Sequence, residues 1–206
     1  MILYVNGGSH TAAAKAINSF SFANEDYHHQ RLERAPHPDN LKVSYGTVLA
    51  DTLKMMFVTD AESESSNARI IKTTKEWIEE KAGIVPPEDM FMIIQWADWR
   101  IDELNTLEVF EGFHLYLKKL GIKHIFFNGK DNFLDIPEDE RYDFGENYIS
   151  PYLPEDSFDG WLQGNGYSPV ITSNEYYGQE AHAAWARHLA QHIKDNKMLQ
   201  EGYRKL

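Results

Sequence analysis

Short apolar runs alternate with longer segments of helical periodicity along this chain. The short runs are residues 2–5, 56–58, 90–95 and 122–127. They predict buried β-strands, because a strand covered on both faces is apolar throughout. The longer segments are residues 11–18, 44–53, 66–81, 102–120 and 178–195. They are rich in alanine or repeat their apolar residues on one side, as helices do. Alternating strands and helices predict an α/β fold with a doubly wound parallel sheet.

The composition fits a single globular domain over residues 1–206. The chain has 42% hydrophobic and 25% charged residues, an ordinary balance for a packed core. Residues 20–40 are polar and irregular, and residues 128–175 predict mostly loop with short elements. No internal repeat, heptad pattern or clear linker divides the chain.

Charge and the apolar pattern exclude several classes of partner. Acidic side chains outnumber basic ones by 32 to 20, and the formal charge of −12 repels nucleic acid. No stretch approaches the roughly 20 apolar residues of a membrane span. The first apolar run is too short for a signal peptide. We therefore expect a cytoplasmic location, or a virion if a phage encodes the protein. With no cysteine, disulfides and thiolate metal sites are excluded.

The segments that follow the predicted strands are the expected place for chemistry. Ligands of an open parallel α/β sheet bind beyond the carboxyl ends of its strands. These segments are residues 6–11, 61–67, 96–102 and 128–132, and all are rich in polar or small residues. The sequence therefore predicts a functional site built from these four segments.

The first segment contains the clearest local motif, Tyr-Val-Asn-Gly-Gly-Ser-His-Thr at residues 4–11. Its two glycines permit a tight turn, and Ser9 follows at the predicted start of a helix. Three interpretations of Ser9 are open. It is a nucleophile, with helix N-terminal amides to stabilise the oxyanion that forms on the substrate. Otherwise it caps the helix, or it belongs to an anion-binding turn. No GxGxxG sequence or Walker lysine follows, which weighs against a nucleotide-binding flavodoxin-like domain.

Two blocks near the ends of the chain are informative together. A strand leads into Gly7, Gly8 and Ser9, and Ala181 and His182 open the final helix. This layout resembles the SGNH/GDSL hydrolases, particularly the small members found in bacteria and their phages. The resemblance implies a flavodoxin-like three-layer fold of the SGNH-hydrolase type. It also implies a serine esterase or acyl hydrolase in which Ser9 attacks an ester or O-acetyl group.

Other blocks of that family are altered here. Gly8 stands in place of the usual aspartate, and Glu64 lies near the place of the second block's glycine. The third block falls on residues 95–98 and lacks the asparagine that holds the oxyanion. Asn67 is the nearest candidate for that amide, with helix capping as the alternative. Gly8 is expected beside it in the oxyanion or binding site.

The last block leaves the general base open. By the family's spacing, the catalytic aspartate falls on Ser173 and the catalytic histidine on Tyr176. A phenol with a pKa near 10 is not a base at neutral pH, so Tyr176 is expected only to bind substrate. His182 is the first substitute base and His10 the second. The alternative for His182 is a structural place at the start of the helix.

Two functions of different classes follow. The resemblance implies a serine esterase that needs no cofactor or metal and acts on a small-molecule or glycan ester. The altered blocks favour instead a catalytically silent SGNH-like fold used for binding or for assembly with other proteins, for example in a phage particle. In that case the aromatic residues Trp161, Tyr167, Tyr176 and Tyr177 would form a binding or packing surface.

Overall fold

The four predicted strands come together in one parallel sheet. The computed structural model describes residues 1–23, 35–97, 107–130, 133, 136–170 and 176–199. The strands are β1 (Ile2–Asn6), β2 (Met56–Thr59), β3 (Met90–Trp96) and β4 (Lys123–Asn128). Their order is β2-β1-β3-β4, and all neighbouring pairs are parallel. The predicted α/β fold with a parallel sheet is confirmed.

Helices cover both faces of this sheet. Within the described residues they are α1 (Pro38–Lys42), α2 (Tyr45–Leu53), α3 (Asn67–Lys81), α4 (Leu107–Lys119), α5 (Phe158–Gly164) and α6 (Gln179–Asp195). One core cluster joins Leu3 and Val5 of β1 to α2, α5 and α6. A second cluster joins Tyr4, on the opposite face, to α3 and α4. All seven residues of β3 are buried, as the prediction of a strand covered on both faces requires. None of the described helices is both long and apolar enough to cross a bilayer.

The predicted helix over residues 11–18 is wrong. The chain follows turns and bends there, and Ala13 and Lys15 have left-handed φ values of 50° and 58°. Left-handed residues interrupt a right-handed helix. The side-chain Oδ1 of Asn40 also accepts the main-chain N–H of Ile17 at 3.0 Å. Helix propensity differs by less than about 1 kcal/mol per residue, so tertiary contacts of this kind override the alanine-rich sequence.

The other helices predicted from periodicity form close to the expected positions. The helix expected over residues 102–120 is seen from Leu107 onward, and residues 98–106 lie outside the described part. The predicted loop over residues 20–40 contains the start of α1, where Nδ1 of His37 accepts the Asp39 N–H as a cap.

The strand order creates a crevice at one end of the sheet. The chain passes from β1 outward to β2 on one side, then returns across β1 to β3 and β4 on the other. The direction of winding therefore reverses between β1 and β3. Open α/β sheets bind ligands at such a switch point, outside the carboxyl ends of the two strands. Ser9 follows β1 directly at this position.

Candidate functional site

An open cavity of about 460 Å³ lies at the carboxyl ends of the strands. Residues at or after the ends of all four strands contribute to its wall, so the cavity lies where the sequence predicts a functional site. The lining residues are Gly8, Ser9, His10, Glu64, Ser65, Gln95, Ala97, Gly129, Lys130 and Tyr176.

Ser9 is half-buried and its hydroxyl is hydrogen-bonded at the cavity. Its Oγ lies 3.0 Å from Oγ of Ser63 and accepts the main-chain N–H of Glu64 at 3.1 Å. Among the residues that the structure describes, no imidazole is hydrogen-bonded to this oxygen. A series of turns follows the strand, and the first is closed by the bond from the Ala12 N–H to the Gly8 carbonyl. No helix begins there, so the interpretation of Ser9 as a helix cap is wrong.

The loop after β2 presents the Glu64 amide to Ser9. Glu64 has a φ of 65°, a left-handed backbone conformation that costs residues other than glycine about 1–3 kcal/mol. Neighbouring contacts hold it in place. The Glu62 N–H donates to the Gly7 carbonyl at 3.1 Å, and the Glu62 carboxylate pairs with Arg69 at 2.9 Å. Glu64 therefore keeps a backbone conformation that glycine adopts most readily.

Gln95 occupies the end of β3 beneath the Ser9 turn and is 2% exposed. Its Oε1 accepts the Gly8 N–H at 3.1 Å and the Thr11 hydroxyl at 2.9 Å. Its Nε2 donates to the Trp96 carbonyl at 2.7 Å. The Gly8 amide is therefore already engaged and does not face an oxyanion, which corrects the role expected for Gly8. Gly8 keeps its place in the cavity wall.

The close approach around Gln95 requires glycine at two positions. A Cβ atom on Gly129 would lie 2.5 Å from Nε2 of Gln95, and one on Gly7 would lie 2.8 Å from Cβ of Gln95. Both distances are shorter than carbon and nitrogen atoms tolerate without bonding. The two glycines therefore allow β1, β3 and β4 to converge at one point.

Asn67 is fully buried and ties α3 to the end of β3. Its Oδ1 accepts the Ala97 N–H at 2.8 Å, and its Nδ2 donates to the Ala97 carbonyl at 3.3 Å. The cap of α3 is Ser66, whose hydroxyl accepts the Arg69 N–H at 3.2 Å. The capping alternative for Asn67 is therefore wrong. Asn67 is not among the residues that line the cavity, so its expected oxyanion role stays a prediction.

His182 lies in the first turn of α6 and is only 1% exposed. Its ring packs against Tyr45 at a centroid distance of 6.2 Å and against Phe158 at 5.7 Å. Its buried Nδ1 has no hydrogen-bond partner within the described ranges. Burial, and to a smaller extent the nearby His10, together lower the pKa of His182 to about 3. Such a ring is a poor base at neutral pH, and it does not line the cavity.

His10, rather than His182, shares the cavity wall with Ser9. Its ring stacks on Phe158 at a centroid distance of 4.7 Å. Tyr176 also lines the cavity, as expected of a binding residue, and its carbonyl accepts the Val170 N–H at 2.7 Å. Ser173, where the resemblance to SGNH hydrolases placed the catalytic aspartate, lies outside the described residues.

The expected aromatic surface is only partly available. Tyr177 is 1% exposed, belongs to the core and donates its hydroxyl hydrogen bond to Asp159. Trp161 and Tyr167 are partly buried and pack against the same core cluster. Tyr177 is therefore a core residue and not part of a binding surface.

Sequence reasoning missed the roles of Ser63 and Gln95. Both lie in or beside the segments that follow the strands, so the carboxyl-end rule points to their neighbourhood. Their contacts join segments distant in sequence and leave no local motif. In the described part of the chain, no group of three or more histidines and carboxylates is placed to hold a metal ion.

Comparison with known proteins adds no family. No protein-family model matches this sequence. A search of the curated proteins also finds no match.

Proposed function

We propose that this chain is an SGNH-like serine acyl hydrolase that acts on a small ester or an O-acetyl group, with Ser9 as the nucleophile. The observation that supports it is the position of Ser9 in an open cavity where residues from all four strand ends meet. A volume of about 460 Å³ suits a small ligand. The ester class itself rests on the resemblance of the Gly-Gly-Ser and closing-helix blocks.

In this proposal Ser9 Oγ forms a bond to the ester carbonyl carbon while its proton passes to the neutral imidazole of His10. The Ser9 N–H donates no hydrogen bond within the described residues and is available to the oxyanion. The Glu64 N–H joins it when Ser9 Oγ turns toward the carbonyl carbon. His10 then protonates the departing alcohol, and water hydrolyses the acyl-serine.

A specific observation favours a second function, a silent binding fold. The Ser9 hydroxyl already has two partners, Ser63 and the Glu64 amide, and neither of them is a base. In that state the cavity binds an ester or a glycan without turning it over, and the protein acts through binding or assembly.

Labelling with a fluorophosphonate and hydrolysis of p-nitrophenyl acetate separate the two functions. We expect one label per chain in the wild type and in the control Ser168→Ala, which alters an exposed serine. Ser9→Ala abolishes labelling, and His10→Gln slows it about 10²–10⁴-fold through loss of the base. A wild type that labels no faster than Ser9→Ala supports the silent fold and contradicts the hydrolase.

A further inference from the structure

A directional hydrogen-bond chain runs beneath the Ser9 turn. Thr11 Oγ1 lies 2.9 Å from the Gln95 carbonyl oxygen and 2.8 Å from the Tyr45 hydroxyl. A carbonyl oxygen only accepts, so the single Thr11 hydroxyl proton goes to Gln95. Tyr45 must then donate to Thr11. All three side chains are buried, so each proton in the chain has one place to go.

Gln95 connects the Tyr45–Thr11 hydrogen bonds to the main chain at Gly8. Its oxygen receives both Thr11 and the Gly8 N–H, and its nitrogen donates to the Trp96 carbonyl. The orientation of the amide is thereby fixed, since reversing it would place its N–H group against the Gly8 N–H and its carbonyl oxygen against the Trp96 carbonyl. The side chain joins the end of β3 to the turn after β1 across the switch point.

We propose that Gln95 is the positioning residue that fixes the Gly8–Ser9 turn for attack on substrate. This role rests on the proposed function of Ser9. Thr11 and Tyr45 support Gln95 through hydrogen bonds, and Gly129 leaves the space that the Gln95 amide occupies. Gln95 acts through the backbone of Gly8 and not through contact with the reacting atoms.

The substitution Gln95→Glu tests the proposal through pH. A carboxylate of the same shape cannot donate to the Trp96 carbonyl, so the turn shifts and reactivity falls. A shift of about 1 Å in a reacting group costs about 100-fold in rate. A protonated carboxyl group restores the donor and keeps an acceptor oxygen for Gly8 and Thr11. Burial raises the pKa of such a carboxyl group, which brings protonation into an accessible range.

The measured quantity is the fluorophosphonate labelling rate of the variant divided by that of the wild type at each pH. We expect a ratio of about 0.01 at pH 8 that rises toward 1 at acidic pH. The control Gln179→Glu makes the same chemical change at an exposed position and keeps a ratio near 1 throughout. A purely structural role would lower the amount of folded protein without this recovery. A ratio near 1 at pH 8 in folded Gln95→Glu overturns the proposal.

Failure of the proposed function is a different result, in which the wild type itself does not label. In that case, hydrogen exchange of the Gly8 amide measures how firmly the Gly8–Ser9 turn is held. Faster exchange in Gln95→Glu at pH 8, returning to the wild-type rate at acidic pH, supports the positioning of the turn. Unchanged exchange overturns it.

The variant Thr11→Val serves if Gln95→Glu fails to fold. It removes one donor to Gln95, so we expect a smaller change in the same direction. Unchanged labelling and unchanged Gly8 exchange in this variant contradict the proposal.

Discussion

Buried histidines lie on both faces of the sheet, and the two environments differ. On the face covered by α3 and α4, Nδ1 of His114 lies 2.8 Å from Nε2 of His124, whose Nδ1 lies 3.0 Å from the Ile122 carbonyl. The carbonyl only accepts, so His124 donates to it from Nδ1 and accepts at Nε2 a hydrogen bond from the Nδ1–H of His114. On the other face, His182 leaves Nδ1 without a partner in the described part of the chain.

This difference in hydrogen bonding distinguishes the structural His114–His124 pair from His182, which lies beside the site. Buried polar atoms are almost always hydrogen-bonded, so the His114–His124 pair is an ordinary way to join a helix to a strand. An unsatisfied nitrogen is uncommon. The one on His182 lies behind Phe158, whose ring also contacts His10 in the cavity wall. Three experiments test this contrast between the faces.

The largest effect is expected from Phe158→Ala. The ring is fully buried and packs against His10 and His182, so its loss costs about 3–5 kcal/mol of the free energy of unfolding. Phe110→Ala on the opposite face should cost a similar amount, since Phe110 is also fully buried. Urea unfolding measures both. Only Phe158→Ala should also slow labelling of the folded protein. Equal labelling rates in the two variants would contradict the view that the Phe158 ring supports His10 in the cavity wall.

A pH effect of intermediate size is expected from His182. Its pKa is about 3 in the folded protein, because of burial, and near 6.5 when unfolded. The unfolded chain therefore binds the extra proton first as the pH falls. The contribution of His182 to the free energy of unfolding is fully present above pH 6.5. It is lost as the pH falls toward 3, by up to about 1.4 kcal/mol per pH unit.

His182→Phe removes this contribution and flattens the dependence of stability on pH below 6.5. Urea unfolding between pH 4.5 and 7.5 measures the slope. The variant retains the contribution of His124, whose pKa burial lowers to about 4. A slope equal to that of the wild type would mean that His182 is solvated or paired in solution.

The smallest of the three effects is expected from breaking the histidine pair. His114→Phe leaves Nε2 of His124 buried without its donor, which costs about 1–3 kcal/mol. Replacing both histidines by phenylalanine removes the unsatisfied atom as well. We therefore expect the double variant to be more stable than the sum of the single changes predicts, as measured by a double-mutant cycle in urea. Strict additivity would show that the pair contributes no interaction.

The sequence predicted the features that depend on local patterns. Continuous apolar runs such as that of β3 indicated strands covered on both faces, and the carboxyl-end rule then located the cavity. The turns over residues 11–18 could not be predicted from the local alanines, because the segment ends on a contact distant in sequence, between Asn40 and the Ile17 N–H. The role of Asn67 was missed for the same reason. Its partner, Ala97, follows a different strand.

The pairing of β1 with β3 also affects how the protein is made. Ile2 lies opposite Met56 on one side and opposite Met90 on the other, so the first strand emerges from the ribosome long before its second neighbour. At ordinary rates of synthesis the delay is on the order of ten seconds. During that time the apolar strand is exposed, and the Ser9 turn lacks the glutamine beneath it. The cavity therefore forms late in biosynthesis, and shortened chains that end before β3 would lack it.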